Sequence, residues 1–169
     1  MDIRAELKRG HSKEIANRIV AYIGNDAGRF RELMEILTAG PYRITQRASW
    51  PMAIAVEQYP SLLLPYYKSV ISLLGKPEIL PGIKRNILRV LQYQEIPEEF
   101  EGEVLDRTFA LLEDTGQPVA IRVFSMQVVY NLSTKYPEIK PELKTIIEAS
   151  LPYASAGFKS RAGKILPVL

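Results

Sequence analysis

Four arginines recur along the chain at a nearly constant spacing, and their guanidinium groups are the side chains best suited to binding chemistry. They are Arg47, Arg85, Arg122 and Arg161, which lie 38, 37 and 39 residues apart. A guanidinium binds carboxylates, phosphates and backbone carbonyls through a planar fork of N–H donors. If the spacing reflects a repeated structural unit, we expect a structural ladder in which each arginine bonds carboxylates or carbonyls of the unit that precedes its own. The alternatives are an anion-binding ridge for phosphate backbones, which would be salt-sensitive, and simple solvation.

Other chemistry finds little support in the sequence. The chain has no cysteine and one histidine, His11, so we expect no disulfide, no metal site and no cofactor. The acidic run at residues 97–103, PEEFEGE, stands where a helix begins, and its carboxylates there oppose the positive end of the helix dipole. No glycine-rich phosphate loop is present, and neither are the fumarase-superfamily sequences that an adenylosuccinate lyase would need. The sequence therefore favours a protein that is not an enzyme.

Composition indicates a globular protein of modest charge. The chain has 169 residues, of which 47% are hydrophobic and 24% charged, and its formal net charge is +3. This balance argues against disorder and falls short of the strong excess of basic residues in dedicated nucleic-acid binders. The polar start lacks the apolar core of a signal peptide, and no window is apolar enough for a membrane span. Together with the lack of cysteine, this predicts a cytoplasmic protein with no membrane partner.

The hydrophobic pattern predicts pairs of amphipathic helices throughout. Ser12 is suited to capping a helix from residue 13 to about residue 23, and Ala39-Gly40-Pro41 is a helix stop. Proline closes the first helix of later pairs at Pro60, Pro97 and Pro137. We predict a polar N-terminal leader at 1–11 and a single repeat domain at 12–169. Its units are about 12–40, 42–75, 82–115 and 118–151, followed by a half-unit at 156–169.

The segment at residues 118–132, PVAIRVFSMQVVYNL, resembles a HEAT or armadillo-type repeat, in which proline, valine and arginine enter a helix of small and apolar residues. Pro51 resembles the kinking proline of such first helices. The resemblance covers about four and a half units and implies an all-α, right-handed α–α superhelix. The aspartate usually found about six residues before the arginine is absent at Pro41, Ile79 and Gly116, with only Asp114 nearby, so we do not expect the usual Asp–Arg pairing between repeats.

The resemblance implies a non-catalytic scaffold or adaptor whose protein partner lies across the concave face of the second helices. These helices mix basic and acidic residues, which suits a protein better than a polyanion. Trp50 is either an exposed hot spot beside Arg47 or, as we favour, buried between the first two pairs. The candidate protein-binding residues are Trp50, Tyr67, Lys68, Arg107 and Lys144.

Two further expectations concern partners. The alternative function is nucleic-acid binding through the arginine ridge, in an architecture similar to that of helical-repeat DNA glycosylases. The apolar sequence from Ile165 to Leu169 ends the half-unit, so self-association through that segment is a further hypothesis.

Overall fold

A computed structural model describes residues 1–40 and 42–169, and these residues form ten α-helices, four 3-10 segments and no strand. The fold is all-α, as predicted. The 3-10 segments span Pro60–Tyr66, Pro137–Ile139, Leu151–Tyr153 and Leu166–Val168. The helices are α1 (Ile3–Arg9), α2 (Lys13–Ile23), α3 (Ala27–Ala39), α4 (Tyr42–Gln58), α5 (Tyr67–Leu74), α6 (Pro81–Leu91), α7 (Glu98–Glu113), α8 (Val119–Ser133), α9 (Lys140–Ser150) and α10 (Ala156–Ile165).

Short polar side chains start four of these helices. The Ser12 hydroxyl accepts the N–H of Ile15 at 3.2 Å, so the predicted cap of α2 is confirmed. Asp2, Asp26 and Ser155 cap α1, α3 and α10 in the same way. Each cap satisfies a backbone donor that has no acceptor within its own helix. At the predicted stop, α3 ends at Ala39 with Gly40 as its cap, while Pro41 lies outside the described residues.

The helices divide into two compact units, residues 1–94 and 95–169. In the first, α4 is central and packs against α1, α2, α3 and α6. Pro51 lies buried inside α4, where it can donate no backbone hydrogen bond. Near it, the buried Asn86 amide of α6 donates to the Ser49 hydroxyl at 2.8 Å. The Arg89 guanidinium of α6 also binds the Glu57 carboxylate of α4 through two bonds of 2.6 and 2.8 Å.

The N-terminal eleven residues, predicted to be a polar leader, contain the helix α1. Two of its side chains are almost fully buried, with Ile3 2% and Leu7 1% exposed. The helix packs against α2, α3 and α4. The sequence pattern does not predict a buried helix here, because two apolar positions one helical turn apart are too few to give a periodic signal.

The second unit holds α7 to α10 around one hydrophobic cluster. α8 is central and packs against α7, α9 and α10. The buried members of the cluster come from all four helices: Leu112, Met126, Val129, Leu143, Ile147, Phe158, Ala162 and Ile165. The predicted half-unit is therefore built into this core. Leu166 and Leu169 also pack against the cluster, while Val168 is 55% exposed. The apolar ending offers less free surface for self-association than its sequence indicates.

Candidate functional site

Arg122 is held in place on several sides. Its Nε donates to the backbone carbonyl of Leu112 at 2.8 Å, and Nη2 donates to the Ser150 hydroxyl at 2.9 Å. The guanidinium also lies over the ring of Phe158, 4.7 Å from its centroid. These contacts connect α8 to the ends of α7 and α9 and to α10. They match the predicted ladder in one respect, since Leu112 belongs to the preceding predicted unit.

Two other arginines of the series bond to different acceptors. Arg47 Nη1 donates to the carbonyls of Leu7 and Lys8, at 2.9 and 3.2 Å, near the end of α1. There the positive charge interacts favourably with the negative end of the helix dipole. Arg161 Nη1 donates to the side-chain oxygen of Gln127 at 2.7 Å. Carbonyl, hydroxyl and amide oxygens, rather than carboxylates, accept the bonds of Arg47, Arg122 and Arg161 shown here.

Arg85 differs from the other three. Its side chain is exposed, and it makes no hydrogen bond or ion pair to the described residues. The ionic contact of α6 is made four residues later by Arg89. The equal spacing of the four arginines in sequence therefore does not correspond to one repeated contact in the structure.

A groove of about 410 Å³ lies beside Arg122 in the second unit. It is bounded by the ends of α7 and α9 and by the start of α8. One lining residue, Tyr153, is 94% exposed and lies in the 3-10 segment after α9. The lining residues are Glu113, Thr115, Arg122, Ile146, Ala149, Ser150 and Tyr153.

The charge of Arg122 has no carboxylate in contact. It forms no ion pair with the described residues. Burial lowers the pKa of Arg122, and the charge of Asp114 acts in the opposite direction. The Asp114 carboxylate instead accepts bonds from the N–H of Gly116 at 2.9 Å and from Gln117 Nε2 at 2.7 Å. A partly desolvated cation fixed by neutral acceptors is therefore present at the groove.

Comparison with known families decides the classification of the chain. A family model described as a HEAT repeat domain matches residues 3–168. The chain belongs to the HEAT repeat family. No curated protein and no solved structure matches it. The match begins at the first residue of α1 and runs through α10, so both units lie within the HEAT repeat region.

Trp50 of this HEAT repeat protein is half-buried, and its ring contacts His11. The two ring centroids are 5.2 Å apart with an angle of 46° between the ring planes. Burial lowers the pKa of His11, and the positive charges of Arg47 and Arg85 lower it further. His11 is thus packed on an aromatic ring rather than isolated in solvent, and Trp50 is neither fully buried nor free.

The prediction of Tyr67 as a surface aromatic is wrong. Tyr67 is 1% exposed and belongs to the core, whereas Tyr66 is half-buried with its ring 5.7 Å from that of Phe30. The physical reason is the 3-10 segment Pro60–Tyr66, which precedes α5. A 3-10 turn has about three residues per turn, so it rotates the following side chains relative to a continuous α-helix.

The other predicted surface residues are exposed. Lys68 lies on the outer side of α5. Arg107 pairs with Glu103 at 3.5 Å, and Lys144 lies 4.0 Å from Glu148. Both pairs span one turn of a single helix, and such exposed pairs contribute little to stability. Charge is balanced on α9, which has two basic and two acidic residues, but α7 has one basic and six acidic residues.

A buried carboxylate at the start of α7 was not singled out by the sequence as more than a cap. Glu101 is 6% exposed, and its Oε2 accepts bonds from Lys135 Nζ at 2.8 Å and from the Tyr136 hydroxyl at 2.5 Å. The bond from Lys135, followed by that from Tyr136, lowers the pKa of Glu101. The cluster connects the start of α7 to the residues after α8.

We expect this cluster to make stability depend on acidity. Because the folded-state pKa of Glu101 is lowered, its contribution is present above the unfolded pKa and is lost as the pH falls through the folded value. The melting temperature of the wild type should therefore fall more between about pH 6 and about pH 3 than that of Glu101→Gln. Calorimetry at a series of pH values measures this, and parallel curves for the two proteins would contradict it.

The described residues show neither a metal-binding group nor a membrane span. In 1–40 and 42–169, no three histidine, aspartate or glutamate side chains are grouped so as to hold a metal ion. In the same residues, no helix is long and apolar enough to cross a bilayer.

Proposed function

We propose that this HEAT repeat protein is a non-catalytic, cytoplasmic scaffold that binds another protein, and that the groove beside Arg122 is part of its docking surface. The proposal rests on one observation: Tyr153 is a 94%-exposed aromatic side chain at the edge of that groove. Exposed tyrosines beside a partly apolar depression are frequent anchors of protein interfaces. The family supports the proposal because HEAT repeats commonly mediate protein interactions.

The groove also extends the predicted second-helix surface. It lies where α7 and α9 end, and these are the second helices of the third and fourth predicted pairs. Arg107 is the one basic residue of α7 against six acidic residues, and α9 carries two of each sign, so neither helix has a positive stripe. Such a surface disfavours a polyanion and suits a protein partner.

Nucleic-acid binding is less well supported by the contacts. Three of the four arginines in the proposed ridge already donate to protein oxygens. A phosphate backbone would have to compete with these bonds, and Glu113 stands beside Arg122 to repel a polyanion. Arg85 alone is exposed among the four.

Removal of the Tyr153 ring tests the proposed function. Immobilised wild type and Tyr153→Ala are incubated with lysate, and the captured proteins are quantified by mass spectrometry. We expect at least one protein to be reduced about tenfold or more on the variant, because truncating an interface anchor costs about 2 kcal/mol or more. The melting temperature should not change, since the ring is exposed.

Tyr93→Ala is the matched control, because Tyr93 is 71% exposed and belongs to the first unit. It should retain the captured proteins. Identical capture by all three proteins would contradict a docking role for the groove. If the wild type captures no protein from lysate but is retained on heparin in a salt-sensitive way, the result would instead favour the nucleic-acid alternative.

A further inference from the structure

We propose that the groove beside Arg122 recognises an acidic side chain within an extended peptide segment of the partner, with the carboxylate bound by Arg122 and apolar neighbours packed on Ile146 and Tyr153. This inference rests on the proposed function and specifies the chemistry of the partner.

The first argument is the fixed position of the guanidinium. Two of its three nitrogens donate to Leu112 and Ser150, and the Phe158 ring covers one face. Nη1 makes no hydrogen bond to the described residues. A donor already held in one orientation loses little conformational entropy when it binds, so this nitrogen is a pre-organised anchor for an acceptor.

The second argument is charge. Arg122 is half-buried and has only neutral acceptors, whereas Asp114 bonds within its own turn. A partly desolvated cation without an anion in contact is stabilised by a carboxylate more than by a neutral oxygen. The acidic Glu113 on the same groove, with the negative ends of α7 and α9, disfavours any negative charge that is not in direct contact with Arg122. The groove therefore suits one carboxylate rather than a polyanion.

The third argument is the shape and lining of the groove. A volume of about 410 Å³ is more than a lone carboxylate group fills. Ile146 and Ala149 provide an apolar wall, and Tyr153 an exposed ring at the edge. An acidic residue flanked by leucines can place its carboxylate on Arg122 and a leucine on this wall, which buries apolar area that a free carboxylate cannot.

Matched peptides test the inference by NMR with isotope-labelled protein. The probes are N-acetylated, C-amidated pentapeptides of sequence Gly-Leu-X-Leu-Gly, in which X is Glu, Gln or Lys, and sodium acetate. We expect the Glu peptide to shift the Arg122 Nε–H signal and the Ser150 and Tyr153 amides. The Gln peptide should bind about tenfold more weakly, because it loses the charge-assisted bond. Acetate should be weaker again.

Variants separate the groups involved. Tyr153→Ala should weaken the Glu peptide severalfold without changing the fold, since Tyr153 is exposed. Arg122→Lys keeps the charge but loses the fork, and should weaken the Glu peptide about tenfold. Arg85→Gln, in the other unit, should change nothing. If Arg122→Lys does not fold, the comparison of peptides on the wild type and on Tyr153→Ala still decides the question.

Each remaining outcome overturns the inference in its own way. Equal binding of the Glu and Gln peptides at the groove would exclude carboxylate recognition and leave the scaffold proposal standing. Tighter binding of the Lys peptide would assign the groove to a basic partner. Acetate as tight as the Glu peptide would reduce the groove to a bare anion site. If no probe shifts the groove signals, peptide recognition there is excluded, while the lysate experiment tests the scaffold function independently.

Discussion

Replacing Arg122 by methionine is expected to lower the free energy of unfolding by about 2 kcal/mol. Methionine retains most of the apolar stem but removes the donors to the Leu112 carbonyl and the Ser150 hydroxyl, and the cation over Phe158. The carbonyl then loses a partner in a region of restricted solvent access. Urea denaturation followed by circular dichroism measures the change.

Arg85→Met is the matched control, because Arg85 occupies the corresponding position of the preceding predicted unit but is exposed and unbonded. Its effect should stay within about 0.5 kcal/mol. Comparable losses for the two variants would restore a uniform structural ladder. Unchanged stability of Arg122→Met, combined with loss of heparin retention, would support the anion ridge.

Phe158→Ala should have the largest effect of a single substitution considered for this protein, a loss of about 3–5 kcal/mol. Phe158 is 1% exposed and packs in the cluster that all four helices of the second unit form. Truncation removes apolar contact and leaves a cavity next to the Arg122 guanidinium. Thermal and urea unfolding both measure the loss.

Val168→Ala, three residues beyond α10, serves as the control since Val168 is 55% exposed. It should change the free energy of unfolding by less than about 0.5 kcal/mol. A loss below about 1 kcal/mol for Phe158→Ala would mean that α10 detaches without disturbing the rest of the second unit.

Much of the architecture could be predicted because the signals are local. Ser12 caps α2 as predicted, and the helix spans Lys13–Ile23, which agrees with the predicted range of 13 to about 23. The prolines at 60, 97 and 137 stand at the start of a new helical segment, where the missing backbone N–H leaves no intrahelical bond unmade. Local steric and hydrogen-bonding rules act within one turn, so they are legible in a single sequence.

The environments of individual side chains were harder to predict from the sequence. Whether Tyr66 or Tyr67 faces the core depends on the 3-10 geometry imposed before α5, and adjacent residues differ by about 100° in an α-helix. Similarly, the arginine spacing predicts equivalent positions but not equivalent acceptors. Those depend on which helix end happens to approach, and that is a property of tertiary packing.

The buried cluster of Glu101 shows a third limit. Its partners Lys135 and Tyr136 are more than thirty residues away in the sequence, just after the end of α8, and the repeat pattern does not pair them with Glu101. In sequence, Glu101 is one of several acidic residues in the first turn of α7 and is explained by the helix dipole alone. Its burial and its bonds to Lys135 and Tyr136, which only the structure shows, distinguish it from Glu98 and Glu99.

The boundary between the two compact units has a practical consequence for dividing the protein into fragments. It lies between Gln94 and Glu95, inside the third helix pair, so the sequence repeat and the packing unit are out of phase. A fragment cut at the repeat boundary before Pro81 would separate α6 from α4 and expose Ile83 and Ile87. A cut after Gln94 follows the boundary between the two compact units, and is therefore where fragment complementation should begin.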